Sequence, residues 1–176
     1  MAHLPTWCCS NIFKLDLNFL KENNIKYILT DLDNTLAPYN IPLPDENTIK
    51  FFNSLKEEGF TVIIVSNNTG KRVKTYSSSL NIDCVAGAKK PFTAVLKKYL
   101  ETNNIDPNEC VLIGDQMMTD IVCANRLKIK CILTDPLSKE EALVTFFNRK
   151  LDNFYRKKYK LGSVTKIDRG VNRWVN

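Results

Sequence analysis

Residues Lys26 to Leu36 read KYILTDLDNTL, and this stretch decides how the rest of the chain is read. Tyr27, Ile28 and Leu29 form a short apolar run that stops at Asp31, Leu32, Asp33, Asn34 and Thr35. The run predicts a buried strand with the acidic pair at its C-terminal exit. In an open α/β sheet that edge is where ligands bind. Side-chain direction repeats every second residue along extended chain, so Asp31 and Asp33 can face one crevice. One carboxylate can then attack while the other moves a proton. Asp-x-Asp alone is more often an Asx-rich turn closing a strand. The residues downstream decide between the two.

Upstream, Asp16 is placed to N-cap a short helix carrying Leu17, Phe19 and Leu20. Downstream, Ala37 to Pro44 holds three prolines and no periodicity, a loop or small flap over the crevice. Asp45 opens a helix through Glu58 that ends at Gly59 in the C′ position, with Ile49, Phe52 and Leu55 on one face. Phe60 to Val65 is a second strand, leaving through Ser66, Asn67, Asn68, Thr69 and Gly70. A helix over Lys71 to Leu80 and a brief strand over Cys84 to Ala86 lead to Lys89, Lys90 and Pro91. Pro91 is expected at the first position of a helix over Phe92 to Asn103. Cys110 to Ile113 is a fourth strand running into GDQMMTD, Gly114 to Asp120. A helix over Met117 to Leu127 and a fifth strand over Lys130 to Thr134 follow. From Ser138 to about Lys160 the pattern is helical, with Leu143, Phe147, Leu151 and Phe154 roughly on one face. This alternation predicts an α/β fold, a Rossmann-like parallel sheet of about five strands with helices on both faces.

Composition limits the possibilities. The 176 residues are 44% hydrophobic, one domain's worth of chain with material for a real core. No apolar run is long enough to cross a bilayer, and Met1 to Ser10 lacks a signal peptide's basic start and apolar middle, so a cytoplasmic protein is expected. The six cysteines (8, 9, 84, 110, 123 and 131) include no C-x-x-C pair, and the chain has one histidine, which suits reduced thiols filling the core. Adjacent Cys8 and Cys9 leave lipid modification and metal binding open. Arg149 to Asn176 carries nine Lys and Arg against Asp152 and Asp168, a net +7. With the whole chain at +6, residues 1 to 148 sum to about −1. The basic character belongs to the tail.

Polar chemistry therefore sits at four successive strand exits: Asp31 with Asp33, Ser66 with Asn67, Lys90, and Asp115 with Asp120. Each has an ordinary reading as a turn residue, a cap or a solvated lysine. All four in this order, each directly after an apolar strand, are improbable by chance.

Together, DLDNT at 31 to 35, the strand ending in Ser66, Lys90-Pro91 and G-D-x-x-x-x-D at 114 to 120 resemble the four motifs of haloacid dehalogenase (HAD) superfamily phosphatases. DLDNTL, SNN followed by Arg72-Val73, the Lys-Pro pair, G-D-Q-x-x-T-D, Asn125-Arg126 and FNR at 147 to 149 are similar to the bacterial YqeG-type phosphatases of subclass IIIA. That group is related to the mitochondrial phosphatidylglycerophosphate phosphatase. The resemblance covers roughly residues 12 to 150, which makes 1 to 150 the phosphatase domain and 151 to 176 a basic C-terminal helix and tail. Cys123 and Ala124 stand where glycines are expected. Two-component receiver domains also combine these residue types, but there Lys-Pro follows the last strand, and here it precedes the G-D turn.

The resemblance implies that Asp31 attacks phosphorus to form an aspartyl-phosphate, and that Asp33 protonates the leaving alkoxide and then takes a proton from water. It implies Mg²⁺ held by Asp31, the backbone carbonyl of Asp33, and Asp115. Ser66 and Lys90 are expected on the phosphoryl oxygens, Asn67 on substrate, and Asp120 behind Lys90 or a metal-bound water. The leading substrate is phosphatidylglycerophosphate. A soluble phosphomonoester and a binding or assembly factor that keeps the pocket are the alternatives.

Many members carry an inserted cap domain. Here 32 residues separate Asp33 from Ser66 and 23 separate Ser66 from Lys90, and the predicted elements consume both. No cap fits, so an open site is expected, suited to a phosphate on something large. Lys150 to Lys160 interleaves Leu151, Phe154, Tyr155 and Tyr159 with basic residues. It reads either as a helix lying on an anionic membrane at the inner face or as a C-terminal helix with its apolar side on the core. Nucleic acid is not expected as a partner, because only three aromatics accompany the patch and no RNA-binding motif is present.

Overall fold

A computed structural model describes residues 3–138, 146–159 and 161. Six strands form one parallel sheet in the order β1-β6-β5-β2-β3-β4: β1 Trp7–Cys9, β2 Tyr27–Thr30, β3 Thr61–Ser66, β4 Asp83–Ala86, β5 Cys110–Gly114 and β6 Lys130–Thr134. The helices are α1 Leu17–Glu22, α2 Glu46–Glu57, α3 Lys71–Ser79, α4 Ala94–Thr102, α5 Val122–Leu127 and α6 Phe146–Tyr159. The chain winds outward from β2 through β3 to β4, then returns to β5 on the other side of β2. This reversal makes the C-terminal ends of β2 and β5 the switch point where an open sheet leaves a crevice.

Alternation along the strands divides the core. Ile28, Ile64, Val111 and Ile113 pack with Leu20, Phe52, Leu55, Val73 and Tyr76 from α1, α2 and α3 on one face. Leu29, Ile63, Val65 and Leu112 pack with Leu96, Leu100 and Cys123 from α4 and α5 on the other. Burial on both faces is why these strands read as near-continuous apolar runs. The caps follow local chemistry: Asp16 Oδ1 accepts from Phe19 N at 3.0 Å, and Asp45 Oδ1 accepts from Thr48 N at 2.7 Å. Gly59 has φ +88°, the left-handed conformation that glycine adopts without a Cβ penalty.

Two sequence expectations, at Ile49 and Pro91, are corrected. The sheet has six strands, one beyond the five placed from sequence. Trp7–Cys9 is too short to show a period, and its place is set by pairing with β6 at Trp7–Ile132, Cys8–Leu133 and Cys9–Thr134. Cys8 and Cys9 are buried in opposite cores. On α2 it is Thr48, Phe52 and Leu55 that are buried, while Ile49 is exposed. Pro91 does not begin a helix. Lys90–Pro91 is a cis bond in a turn closed by Phe92 N donating to Lys89 O at 2.9 Å, and α4 starts at Ala94 after Thr93.

No inserted domain interrupts the chain between β2 and β3 or between β3 and β4; a loop with α2, and then α3, occupy those intervals. No helix among the described residues is long and apolar enough to cross a membrane.

Candidate active site

The four polar exits meet at the C-terminal edge of the sheet. β2 delivers Asp31, whose backbone N–H donates to Ile113 O at 2.8 Å and so continues the pairing with β5 one residue past the strand. β5 delivers Asp115, which is fully buried and accepts from Thr35 Oγ1 at 3.4 Å. The Lys90 Nζ lies 2.8 Å from Asp31 Oδ1 and 2.6 Å from Asp120 Oδ1, and it donates to Val65 O at 2.6 Å. The ammonium hydrogen-bonds Asp31 and Val65 O and pairs by charge with Asp120.

Ligand oxygens of Asp31, Asp115 and Asp120 lie within 4.8 Å of one another, all buried. Burial pushes the Asp31 carboxyl up to about 8, with the Lys90 ammonium pulling down and the Asp120 and Asp115 carboxylates pushing further up. Burial also works against the charge on Lys90, but Asp120 and Asp31 outweigh it and hold the ammonium above its ordinary value. Three buried carboxylates facing one ammonium are a surplus of negative charge on hard oxygen donors, which fits a divalent cation.

The remaining expected residues take different places. Ser66 Oγ is buried at the end of β3 and accepts from Asn68 N at 3.1 Å, which leaves its O–H hydrogen to donate. Asn67 was expected on substrate. Its side chain is instead taken up by the Lys90 backbone, donating to Lys90 O at 2.9 Å and accepting from Lys90 N at 2.6 Å. Its amide therefore orients the lysine, which chain order alone does not reveal. The Asp33 carboxylate stands outside the buried cluster, accepting from Arg72 Nε at 3.0 Å, so any part in holding a cation falls to its backbone carbonyl.

A family model described as mitochondrial PGP phosphatase matches residues 2–138. The chain belongs to that family. The probable phosphatase YqeG of Bacillus subtilis (strain 168) is 38% identical to it over 149 residues, 85% of this chain and 87% of that protein. Phosphatidylglycerophosphate phosphatase 1, chloroplastic/mitochondrial, of Arabidopsis thaliana is 24% identical over 180 residues, 96% of this chain and 51% of that longer protein. Among solved structures, an uncharacterized protein from Listeria monocytogenes serotype 4b superposes with TM-score 0.52 at 22% identity, over 67% of this chain and 85% of that one. The cobalt-bound deoxy-D-mannose-octulosonate 8-phosphate phosphatase of Haemophilus influenzae does so at 0.50 and 15%, over 78% and 90%. These two likenesses show the fold. The chain is a YqeG-type phosphatase, a phosphoric monoester hydrolase.

In this phosphatase two arginines brace the site, and neither was assigned a role from sequence. Besides Asp33, Arg72 donates to the Pro38 carbonyl at 3.0 Å and to the Ile41 carbonyl, tying the proline-rich loop to the Asp33 carboxylate. Its position just after Ser66-Asn67-Asn68 belongs to the family resemblance, but sequence does not say what it touches. Arg156 on α6 is buried and reaches the Asp115 loop. It was hidden in a basic run; the only hint is its i, i+4 spacing from Asp152. Of the two readings of α6, docking on the core holds at Tyr159, while Leu151 and Phe154 are exposed and Asp152 and Arg156 are buried. Leu143 and the Phe147 side chain, expected on the same face as Leu151, lie outside what the structure describes.

Proposed function

We propose that this phosphatase hydrolyses phosphatidylglycerophosphate at a membrane surface, with Mg²⁺ and an aspartyl-phosphate on Asp31. One observation carries the substrate: several exposed large hydrophobic side chains lie in the connections that leave the uncapped C-terminal edge of the sheet. Tyr39, Ile41 and Leu43 follow β2, Phe92 follows β4 and Leu137 follows β6, while Ile49, Val95, Leu151 and Phe154 are exposed on helices. An apolar rim around a polar phosphate site suits a headgroup presented on acyl chains. The family model and the plant relative's name support the same reading.

In the reaction, Asp31 attacks phosphorus in line while Asp33, held by Arg72, gives a proton to the leaving glycerol oxygen. Asp33 then takes a proton from the water that cleaves the acyl-phosphate. Ser66 donates its free O–H to one phosphoryl oxygen. Lys90 gives up its hydrogen bond to Asp31 and donates to a second oxygen, with Asp120, Val65 O and the Asn67 clamp keeping it in place. Asp31 and Asp115, with the Asp33 carbonyl, would hold the cation, which offsets the charge of carboxylate and phosphate brought together.

Phosphate release from phosphatidylglycerophosphate in mixed micelles with Mg²⁺, beside soluble phosphomonoesters and an Asp31→Asn control, tests this. We expect release from the lipid that Asp31→Asn lowers by at least about 10³-fold, as for a lost nucleophile. Turnover of soluble esters alone would leave the chemistry standing and discard the lipid.

A further inference from the structure

The Asp115 loop is braced from outside the motif that carries it. Arg156 on α6 donates through Nη2 to Asp115 O at 2.5 Å and Thr134 O at 2.7 Å, and through Nη1 to Asp135 Oδ1 at 3.2 Å. Its Nε donates to Asp152 Oδ2 at 3.1 Å. The other oxygen of that carboxylate, Asp152 Oδ1, accepts from Met117 N at 2.5 Å. Between those two clamped residues, Gln116 N donates to Asp120 Oδ2 at 3.1 Å. Three consecutive residues are thus fixed by side chains, two of the three by one buried pair on a helix that lies beyond residue 138, where the family model's match ends.

We infer that Asp152 and Arg156 are positioning residues for the cation site, setting the aim of the Asp115 carboxylate through its own backbone. The inference rests on the cation reading above and goes beyond it. Charge does not account for the pair, because Asp152 and Asp135 already offset the guanidinium; its contribution is geometric. A planar fork reaches two carbonyls and two carboxylates at once, linking the exits of β5 and β6 to α6, which an ammonium cannot do. Partners behind a metal ligand commonly set affinity by one to two orders of magnitude.

The test is calorimetric titration of Mg²⁺ into the full chain and into Arg156→Gln, Arg156→Lys and Asp152→Asn. Thermal midpoints, and kcat and KM on p-nitrophenyl phosphate, are measured alongside. We expect Arg156→Gln and Asp152→Asn to weaken Mg²⁺ binding about tenfold or more. At saturating Mg²⁺ the KM for the ester changes less than about twofold, because the pair touches no substrate. Arg156→Lys recovers part of the affinity. A merely structural pair would lower the midpoint and leave the Mg²⁺ affinity of the folded protein unchanged; affinity within twofold of the parent in folded variants overturns the inference. Should Arg156→Gln not fold, Asp152→Asn, which keeps the side-chain volume, decides by the same criterion. A parent chain that binds no Mg²⁺ overturns the cation reading itself, which distinguishes the two failures.

Discussion

Asp31 meets two opposed demands. A nucleophile must be ionised, yet burial among Asp115 and Asp120 pushes its carboxyl up to about 8 from 3.8. Without a cation the folded chain therefore holds a proton that the unfolded chain releases near pH 4. Stability from this group is fully present below about pH 4 and is lost as pH rises toward 8. Lys90 does not blur the window, since its ammonium is charged in both states throughout it. In EDTA we expect the thermal midpoint to fall between pH 5.5 and 7.5 by on the order of 2 kcal/mol, about 5 °C, with the slope removed in Asp31→Asn. Added Mg²⁺ should raise the midpoint more at pH 7.5 than at 5.5. A flat midpoint in EDTA would contradict the raised Asp31 carboxyl. Asp31 and Ser66 were legible in sequence because each ends an apolar strand, and Lys90, four residues past β4, because it precedes a proline. The environment that tunes Asp31 comes from β5 and the turn after it, more than eighty residues away, and no local pattern reports it.

At the scale of elements, the junction after β5 is the most constrained. Met117–Ile121 is a π-helical turn in which Asp120 N and Ile121 N both donate to Gln116 O, at 3.0 and 3.3 Å. Such turns insert a residue and are frequent at functional sites. This one folds Asp120 back over Gly114, where a Cβ would meet Asp120 Cγ at 2.3 Å and Oδ2 at 2.4 Å. Asp120 cannot retreat without losing Lys90. Gly114→Ala is expected to lower kcat about tenfold or more and stability by about 1 to 3 kcal/mol, the usual cost of overpacking; activity within twofold of the parent would sink this account. Helix starts at Asp16 and Asp45 were legible because a cap is a local bargain between one carboxylate and a nearby N–H. The start of α4, the π turn and β1 were not, because a neighbouring strand or a side chain returning from the next turn decides each of them.

For the whole molecule, the parallel sheet puts every strand exit on one edge, and exposed Tyr39, Ile41, Leu43, Phe92 and Leu137 lie in the connections that leave it. If that edge faces lipid, replacing Phe92 and Phe154 by Ser should reduce flotation with anionic phospholipid vesicles about tenfold or more, given about 1.5 to 3 kcal/mol for each fully buried phenylalanine. Turnover of a soluble ester should not change, since neither ring is part of the buried cluster. Equal flotation of parent and variant removes the membrane role and leaves the phosphatase site intact.

The sequence by itself determined the α/β alternation, the absence of a cap and the residue types at the strand exits, because strand burial, loop length and caps are written over a few neighbouring residues. The tertiary structure alone decided the sixth strand, the Asn67 clamp on Lys90, the Arg72 tie between Asp33 and its loop, and the inward turn of Asp152 and Arg156. Each of these joins segments far apart in the chain. On α6 Leu151 and Phe154 are exposed and a charged pair is buried, because the face toward the site offers carbonyls and a backbone N–H that only a hydrogen-bonding pair can satisfy.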